Sequence, residues 1–147
     1  MDQITTAIEE IRPRVRASFV VDTLTYLYRG GRCNAVAALA GGMLKLHPRI
    51  VVEDGAMDAS KKYRGKLGSV ILSYTKDMEE DLKNAVPDRV FITHSGIEGQ
   101  LVELVRAAIE EHAHFERIHV TQASCTISSH CGPNTLGILF TTKSACA

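Results

Sequence analysis

Asp54-Gly55 stands between two stretches of strand-like composition, and no other feature constrains the fold as tightly. Arg49–Glu53 before it is a β-branched run, and Ala56–Tyr63 after it is more polar. Asp-Gly supplies the positive φ that a two-residue hairpin turn requires. The two stretches should therefore pair antiparallel, with the polar second strand at a sheet edge. A hairpin breaks the strict strand–helix–strand alternation of a parallel sheet, so a mixed sheet is expected.

The remaining chain supplies helices and four more strands. Asp2–Arg16 places Ile4, Ala7, Ile8 and Ile11 at helical spacing, and Pro13 should end or bend that helix. Ala17–Val21 is a short strand candidate. Asp22 or Thr23 can cap a short helix, Leu24–Arg29, that stops at Gly30-Gly31. Asn34 can cap Ala35–Leu44, with Gly41-Gly42 serving close packing and His47-Pro48 closing the helix, since the residue before proline resists helical geometry. Lys66–Val86 is the longest helical pattern, with Leu67, Val70, Ile71, Tyr74, Met78 and Leu82 in one stripe. Pro87-Asp88 ends it and Arg89–Thr93 follows as a strand. Ser95-Gly-Ile-Glu98 has capping-box spacing ahead of a helix with Ile97, Leu101, Leu104, Val105 and Ala108 on one face. Phe115–Val120 and Thr135–Thr141 complete the strands. The expected fold is α/β of the α+β type: a two-layer sandwich whose mixed sheet of about six strands carries amphipathic helices on one face.

A chain of 147 residues suggests one domain, 1–147. Its 17 basic and 17 acidic residues cancel, so no basic field attracts nucleic acid or an anionic membrane. No apolar run approaches the roughly 18 residues of a membrane span. The opening Met-Asp-Gln-Ile-Thr-Thr is polar and acidic, unlike a signal peptide. Cys33, Cys125, Cys131 and Cys146 are unevenly spaced with no C-x-x-C pair, which suggests reduced thiols in a cytoplasmic protein.

Two polar corners carry chemistry. Gly30-Gly31-Arg32-Cys33-Asn34 turns sharply out of one helix and into another, whose free N–H groups attract anions. Arg32 adds a planar fork suited to a carboxylate or phosphate; the blander alternative is a solvated loop arginine. Ser128–Phe140 reads as a polar turn feeding a buried strand. His130 and Cys131 sit at its lip, Gly132-Pro133-Asn134 makes the bend, and Leu136–Phe140 enters the core. His130 either donates to a ligand carboxylate or ties down the turn through backbone contacts. Cys131 invites a nucleophile hypothesis, but neighbours on a strand point opposite ways, so His130 is poorly placed as its base. His112 and His114 do not face each other on a helix, and a zinc site completed by His119 or Cys125 matches no recognised spacing. In Tyr63-Arg64-Gly65-Lys66, positive charge stands at a helix entry, either solvated or as a docking spot for an anionic ligand or a protein partner. No P-loop, dinucleotide fingerprint or nucleophile elbow is present.

Four motifs occur in one order: Asp22-Thr-Leu-Thr-Tyr-Leu-Tyr-Arg-Gly-Gly-Arg32; Leu44-Lys-Leu-His-Pro48 with Asp54-Gly55; Tyr63-Arg64-Gly65; and His130-Cys-Gly-Pro-Asn-Thr-Leu-Gly137. Together they resemble the C-terminal domain of the DegV family of bacterial fatty-acid-binding proteins, from about residue 2 to the end. The resemblance implies a two-domain protein with a long-chain fatty acid buried between its domains, and a partner fatty acid kinase that phosphorylates the carboxylate. The carrier would not itself be an enzyme and would need no metal or other cofactor. It further implies that His130, Arg32 and Arg64 form the head-group mouth and kinase-facing surface. Gly30, Gly31, Gly132 and Pro133 would shape its turns. The family's N-terminal α/β domain is absent from this sequence. The family turn usually reads Gly-Pro-Gly, where this chain has Gly132-Pro133-Asn134, and Cys131 replaces a usual hydroxyl residue. A domain without its neighbour should expose an apolar face, so a homodimer or a sticky monomer is expected. The alternative function is a dimerising interaction module that holds no lipid.

Overall fold

The computed structural model describes residues 2–32, 46–53 and 55–144. Among them, six strands form one sheet: β1 (Val15–Val20), β2 (Leu46–Glu53), β3 (Ala56–Arg64), β4 (Arg89–Ser95), β5 (Arg117–Gln122) and β6 (Thr135–Thr141), in the order β3-β2-β1-β6-β4-β5. All neighbours pair antiparallel except β4 and β5, which run parallel. The sheet is mixed, and the polar strand β3 is its edge, as the hairpin composition predicts. Asp54 lies outside the described residues; Gly55 beside it takes a φ of +77°.

One residue in β3 reorders the hairpin. Ile50 pairs with Ala59 but Arg49 pairs with Lys61, so Ser60 is an extra residue, a β-bulge. Side chains alternate along a strand, so this one insertion reverses the facing of everything after it. Met57 and Ala59 face one side of the sheet with Ile50, whereas Lys61 and Tyr63 turn to the other. There, both Lys61 Nζ (2.6 Å) and Tyr63 Oη (2.7 Å) donate to Asp77 Oδ2. Burial alone would lift the Asp77 carboxyl, but these two bonds hold it below its ordinary range.

The described helices are α1 (Asp2–Ile11), α2 (Thr25–Arg29), α3 (Leu67–Lys76), α4 (Glu79–Lys83), α5 (Gly99–His112) and α6 (Cys125–Cys131). Helices α3, α4 and α5 cover one face. Val70, Ile71, Tyr74, Leu82, Val102, Val105 and Ile109 meet Val20, Val90, Ile92, Leu136 and Ile138 of the sheet in the main core. Tyr74 is fully buried and reaches the sheet backbone itself. Its hydroxyl donates to the Ser18 carbonyl at 2.8 Å, accepts from the Ile138 N–H at 3.2 Å, and lies 2.9 Å from Ser18 Oγ. A smaller cluster of Val21, Leu27, Ile50 and Cys131 lies on the opposite face beneath α2 and α6, with Phe19, Leu24, Met57 and Ala59 against it.

Several sequence-based expectations are corrected. The pattern over Lys66–Val86 is two helices, α3 and α4, separated at Asp77-Met78. The apolar stripe runs through both, because a tight turn between Thr75 and Met78 (N–H to carbonyl, 3.1 Å) keeps its phase, while Asp77 is drawn to β3. His47-Pro48 belongs to β2, not to a helix end, and the expected helix Ala35–Leu44 with its Asn34 cap lies outside the described residues. The Ser95–Glu98 capping box does not form. Ser95 ends β4, α5 begins after Glu98 with no side-chain cap, and it is His94 Nδ1 that accepts the Ile97 N–H at 3.3 Å. The fifth strand starts at Arg117 rather than Phe115, which is buried in the core instead.

Helix α1 buries none of its residues; Ile4 and Ile8 are 68% and 58% exposed. Among the described residues, no helix is long and apolar enough to cross a membrane.

Candidate functional site

Antiparallel pairing brings one set of strand ends together. The last residue of β1, Val20, faces Leu136 of β6 and Arg49 of β2, while His94 of β4 also faces Leu136. The start of β2, the end of β3 and the starts of α2 and of the α6–β6 turn therefore share one end of the sheet.

The segment Ser128–Cys131, expected as a turn, is the last part of α6. Its composition is poor for a helix, but Ser124 Oγ accepts the Ile127 N–H at 3.3 Å and starts it. Gly132, at a φ of +83°, stops it. On a helix, adjacent residues diverge by about 100°. Cys131 turns into the small core cluster, and His130 is left against α2. Burial pushes the Cys131 thiol up, away from the thiolate a nucleophile needs. Pro133 is exposed at the bend that follows.

Helices α2 and α6 meet at two glycines. A Cβ on Gly30 would collide with Nδ1 of the His130 ring and come within 3.0 Å of its Cε1. A Cβ on Gly132 would strike the ring of Tyr26, 2.7 Å from Cε2. Each glycine is thus a seat for an aromatic ring from the other helix. His130 Nδ1 is buried and has no hydrogen-bond partner among the described residues. Arg32 joins the same corner: its Nη1 donates to the Gly30 carbonyl at 2.7 Å while its side chain stays exposed. Gly31 carries the positive φ, +69°, that turns the chain between them. So His130 packs against Gly30, about a hundred residues away in sequence, the residue whose carbonyl holds Arg32.

Arg64 stands at the same end of the sheet but on its edge. It pairs with Leu46 in β2, and β2 and β1 lie between it and β6. The structure sets the His130 ring against Gly30, to whose carbonyl Arg32 donates, and leaves Arg64 three strands away from β6, the strand that His130 leads into.

Sequence reasoning missed a group between these corners. Thr23 Oγ1 accepts the Thr25 N–H at 3.3 Å, but the N-cap position is Leu24 and no side chain caps α2, so neither Asp22 nor Thr23 takes the capping role expected of them. Asp22 instead accepts from Asn134 Nδ2 at 3.3 Å and lies 3.4 Å from His47 Nδ1. The signal was present: an acidic residue next to a Thr that could cap, and a His before a Pro. Neither residue type says which partner it meets.

The other histidines do not form a site. His112 lies 3.7 Å from Glu79, and His119 stacks on Phe91 with ring centroids 4.9 Å apart. Among the described residues, no three His, Cys, Asp or Glu side chains come together as a metal-ligand set.

The family model described as "Uncharacterised protein, DegV family" matches residues 1–143. A DegV domain-containing protein of Caldanaerobacter subterraneus, TTE1491, is 33% identical over 97% of this chain and 50% of its own length. Protein DegV of Bacillus subtilis is 27% identical over the same shares. Among solved structures, a DegV family protein from Thermus thermophilus, described for its fatty acid binding, superposes with a TM-score of 0.83 at 25% identity, covering 97% of this chain and 50% of that one. Bacillus subtilis DegV, described as a fatty acid binding protein, gives 0.75 at 27% identity over the same shares. The chain thus spans about half the length of the relatives it matches. With its motifs, its six-stranded mixed sheet and a family match over nearly its whole length, the chain belongs to the DegV family.

Proposed function

We infer that this chain helps hold a long-chain fatty acid, with the carboxylate at the corner of His130, Gly30 and Arg32. One observation carries this reading: a buried imidazole nitrogen with no partner among the described residues, wedged against a glycine whose carbonyl fixes an exposed arginine. An unsatisfied buried polar atom costs about 1–3 kcal/mol, which a ligand oxygen would recover. A guanidinium beside it supplies the opposite charge. The fatty acid binding described for the Thermus thermophilus and Bacillus subtilis relatives supports the same ligand class.

In this reading the protein is a cytoplasmic carrier and not an enzyme. A partner kinase would phosphorylate the presented carboxylate, reading the rim that includes Arg64. A further domain, equal to the other half of the longer relatives, would close the second wall of the lipid site. The test is calorimetric titration of oleate into the chain and its variants. His130→Ala is expected to weaken binding about tenfold, equal to about 1.4 kcal/mol, and Arg32→Ala somewhat less. Unchanged affinity in both variants would refute the assignment.

A second reading rests on α1. Ile4, Ile8 and Ile11 form an exposed apolar stripe on a helix with no buried residue. Association of two copies through this stripe is expected to appear as a concentration-dependent dimer in sedimentation, abolished by Ile8→Glu. A monomer at all concentrations would remove the dimer.

A further inference from the structure

Asn134 has a φ of +60°, the one positive φ on a non-glycine residue among the described residues. Asparagine tolerates this conformation better than most residues, but it still needs holding. Two bonds do so. Its N–H donates to the Ser95 carbonyl at 2.6 Å, and its side-chain Nδ2 donates to Asp22 Oδ2 at 3.3 Å.

The other Asp22 oxygen faces a different element. Oδ1 lies 3.4 Å from Nδ1 of His47, within ion-pair reach though not aligned as a hydrogen bond. His47 Nε2 lies 3.2 Å from the Gly65 carbonyl. The His47 side chain is 7% exposed and that of Asp22 39%. A continuous line therefore runs from Gly65, next to Arg64, through His47 and Asp22 to Asn134, four residues beyond His130. Asp22 also sits in the short link from β1 to α2, the helix that ends at Gly30.

We propose that Asp22 is a positioning residue that splints three corners of this end of the sheet. One carboxylate oxygen holds the turn after His130, the other faces the β2–β3 corner beside Arg64, and its own backbone leads into α2. Removing the carboxylate frees Asn134 to leave its strained conformation, and the His130 ring then loses its seat on Gly30. The consequence for lipid rests on the fatty-acid reading above; the splint itself does not.

Nitrogen-15 NMR of the lipid-free chain tests this directly. Asp22→Ala should shift the Asn134 side-chain amide and the ring nitrogens of both His47 and His130. Asp22→Asn, which keeps an acceptor oxygen for Asn134, should return the His130 signals close to those of the unmodified chain. In an Asn134→Gly background, Asp22→Ala should no longer move His130, because a glycine needs no tether at positive φ. His130 signals that stay put in Asp22→Ala, or that move as far in the Asn134→Gly background, would overturn the proposal. Should Asp22→Ala fail to fold, the same contrast is read from Asp22→Leu and Asp22→Asn: Leu, without an acceptor, must displace His130 where Asn does not. Oleate affinity is a separate arm, expected to fall about fivefold in Asp22→Ala. His130→Ala and Arg32→Ala chains that bind oleate as tightly as the unmodified chain would sink the fatty-acid reading, while the NMR shifts would still decide the role of Asp22.

Discussion

Gly30→Ala is expected to destabilise the chain by about 3 kcal/mol, through overpacking alone. Gly30 has a φ of −78° and a ψ of 0°, helical values that alanine adopts freely. On backbone grounds the substitution should even help, by about 0.4–1 kcal/mol, because alanine has fewer unfolded conformations to lose. The opposing effect comes from His130, whose ring occupies the space a Cβ would enter. The ring must swing out or α2 must lift from α6, and on the fatty-acid reading proposed above lipid binding should be lost in either case. The decisive control is the double variant Gly30→Ala with His130→Ala, which empties the seat. Its unfolding midpoint in urea should recover most of the single variant's loss. A Gly30→Ala chain as stable as the original would mean that Gly30 and His130 are not in contact, and the proposed grip on a head group would go with that contact.

Tyr74→Phe should cost about as much, for a different reason. The phenol oxygen serves a carbonyl, an N–H and a hydroxyl at the facing pair Ser18–Ile138 in the centre of the sheet. Phenylalanine fills the same volume but abandons these groups in a fully buried site. Leaving buried partners unsatisfied costs about 1–3 kcal/mol for each group, so a net loss of about 3 kcal/mol is expected. Burial also pushes the Tyr74 hydroxyl up to about 12, against hydrogen bonds from Ser18 and Ile138 that favour its ionised form. The folded state therefore holds this proton more tightly than the unfolded chain, whose tyrosines titrate near 10. The stabilisation is complete below pH 10 and drains away as the pH rises from 10 to about 12. Tyr63 shifts the same way, by burial first and then by its bond to Asp77. Stability measured by urea unfolding should decline above pH 10, and Tyr74→Phe should flatten part of that decline. An equally steep decline in the variant would show that Tyr74 takes no part.

The hairpin, its polar edge strand and the six-strand mixed sheet were legible because each rests on local signals: a turn dipeptide, strand composition and periodicity. The bulge at Ser60 was not. It leaves no mark in composition, yet it decides that Tyr63 reaches Asp77. The break between α3 and α4 was hidden for a related reason, since the apolar stripe stays in phase across it. Where α2 meets α6, the glycines and the histidine beside a stiff bend that stood out in the sequence are packed against neighbouring rings or glycines. That His130 rides on a helix depended on Ser124 as a cap, in a segment whose serines and cysteines argue against helix. The linkage of Asp22 to His47 and Asn134 joins positions far apart in sequence, and no local pattern encodes a pairing of that kind.

The place of β6 bears on how the chain acquires its shape. This strand, the last of the six described in chain order, lies between β1 and β4 and joins the trio β1-β2-β3 to the duo β4-β5. Until β6 has left the ribosome, each fragment keeps an open inner border, and Tyr74 has no Ile138 to meet. Assembly therefore waits on contacts of long sequence separation, a slow and aggregation-exposed regime. A nascent chain stalled short of Thr135 should be two sticky pieces in need of a chaperone.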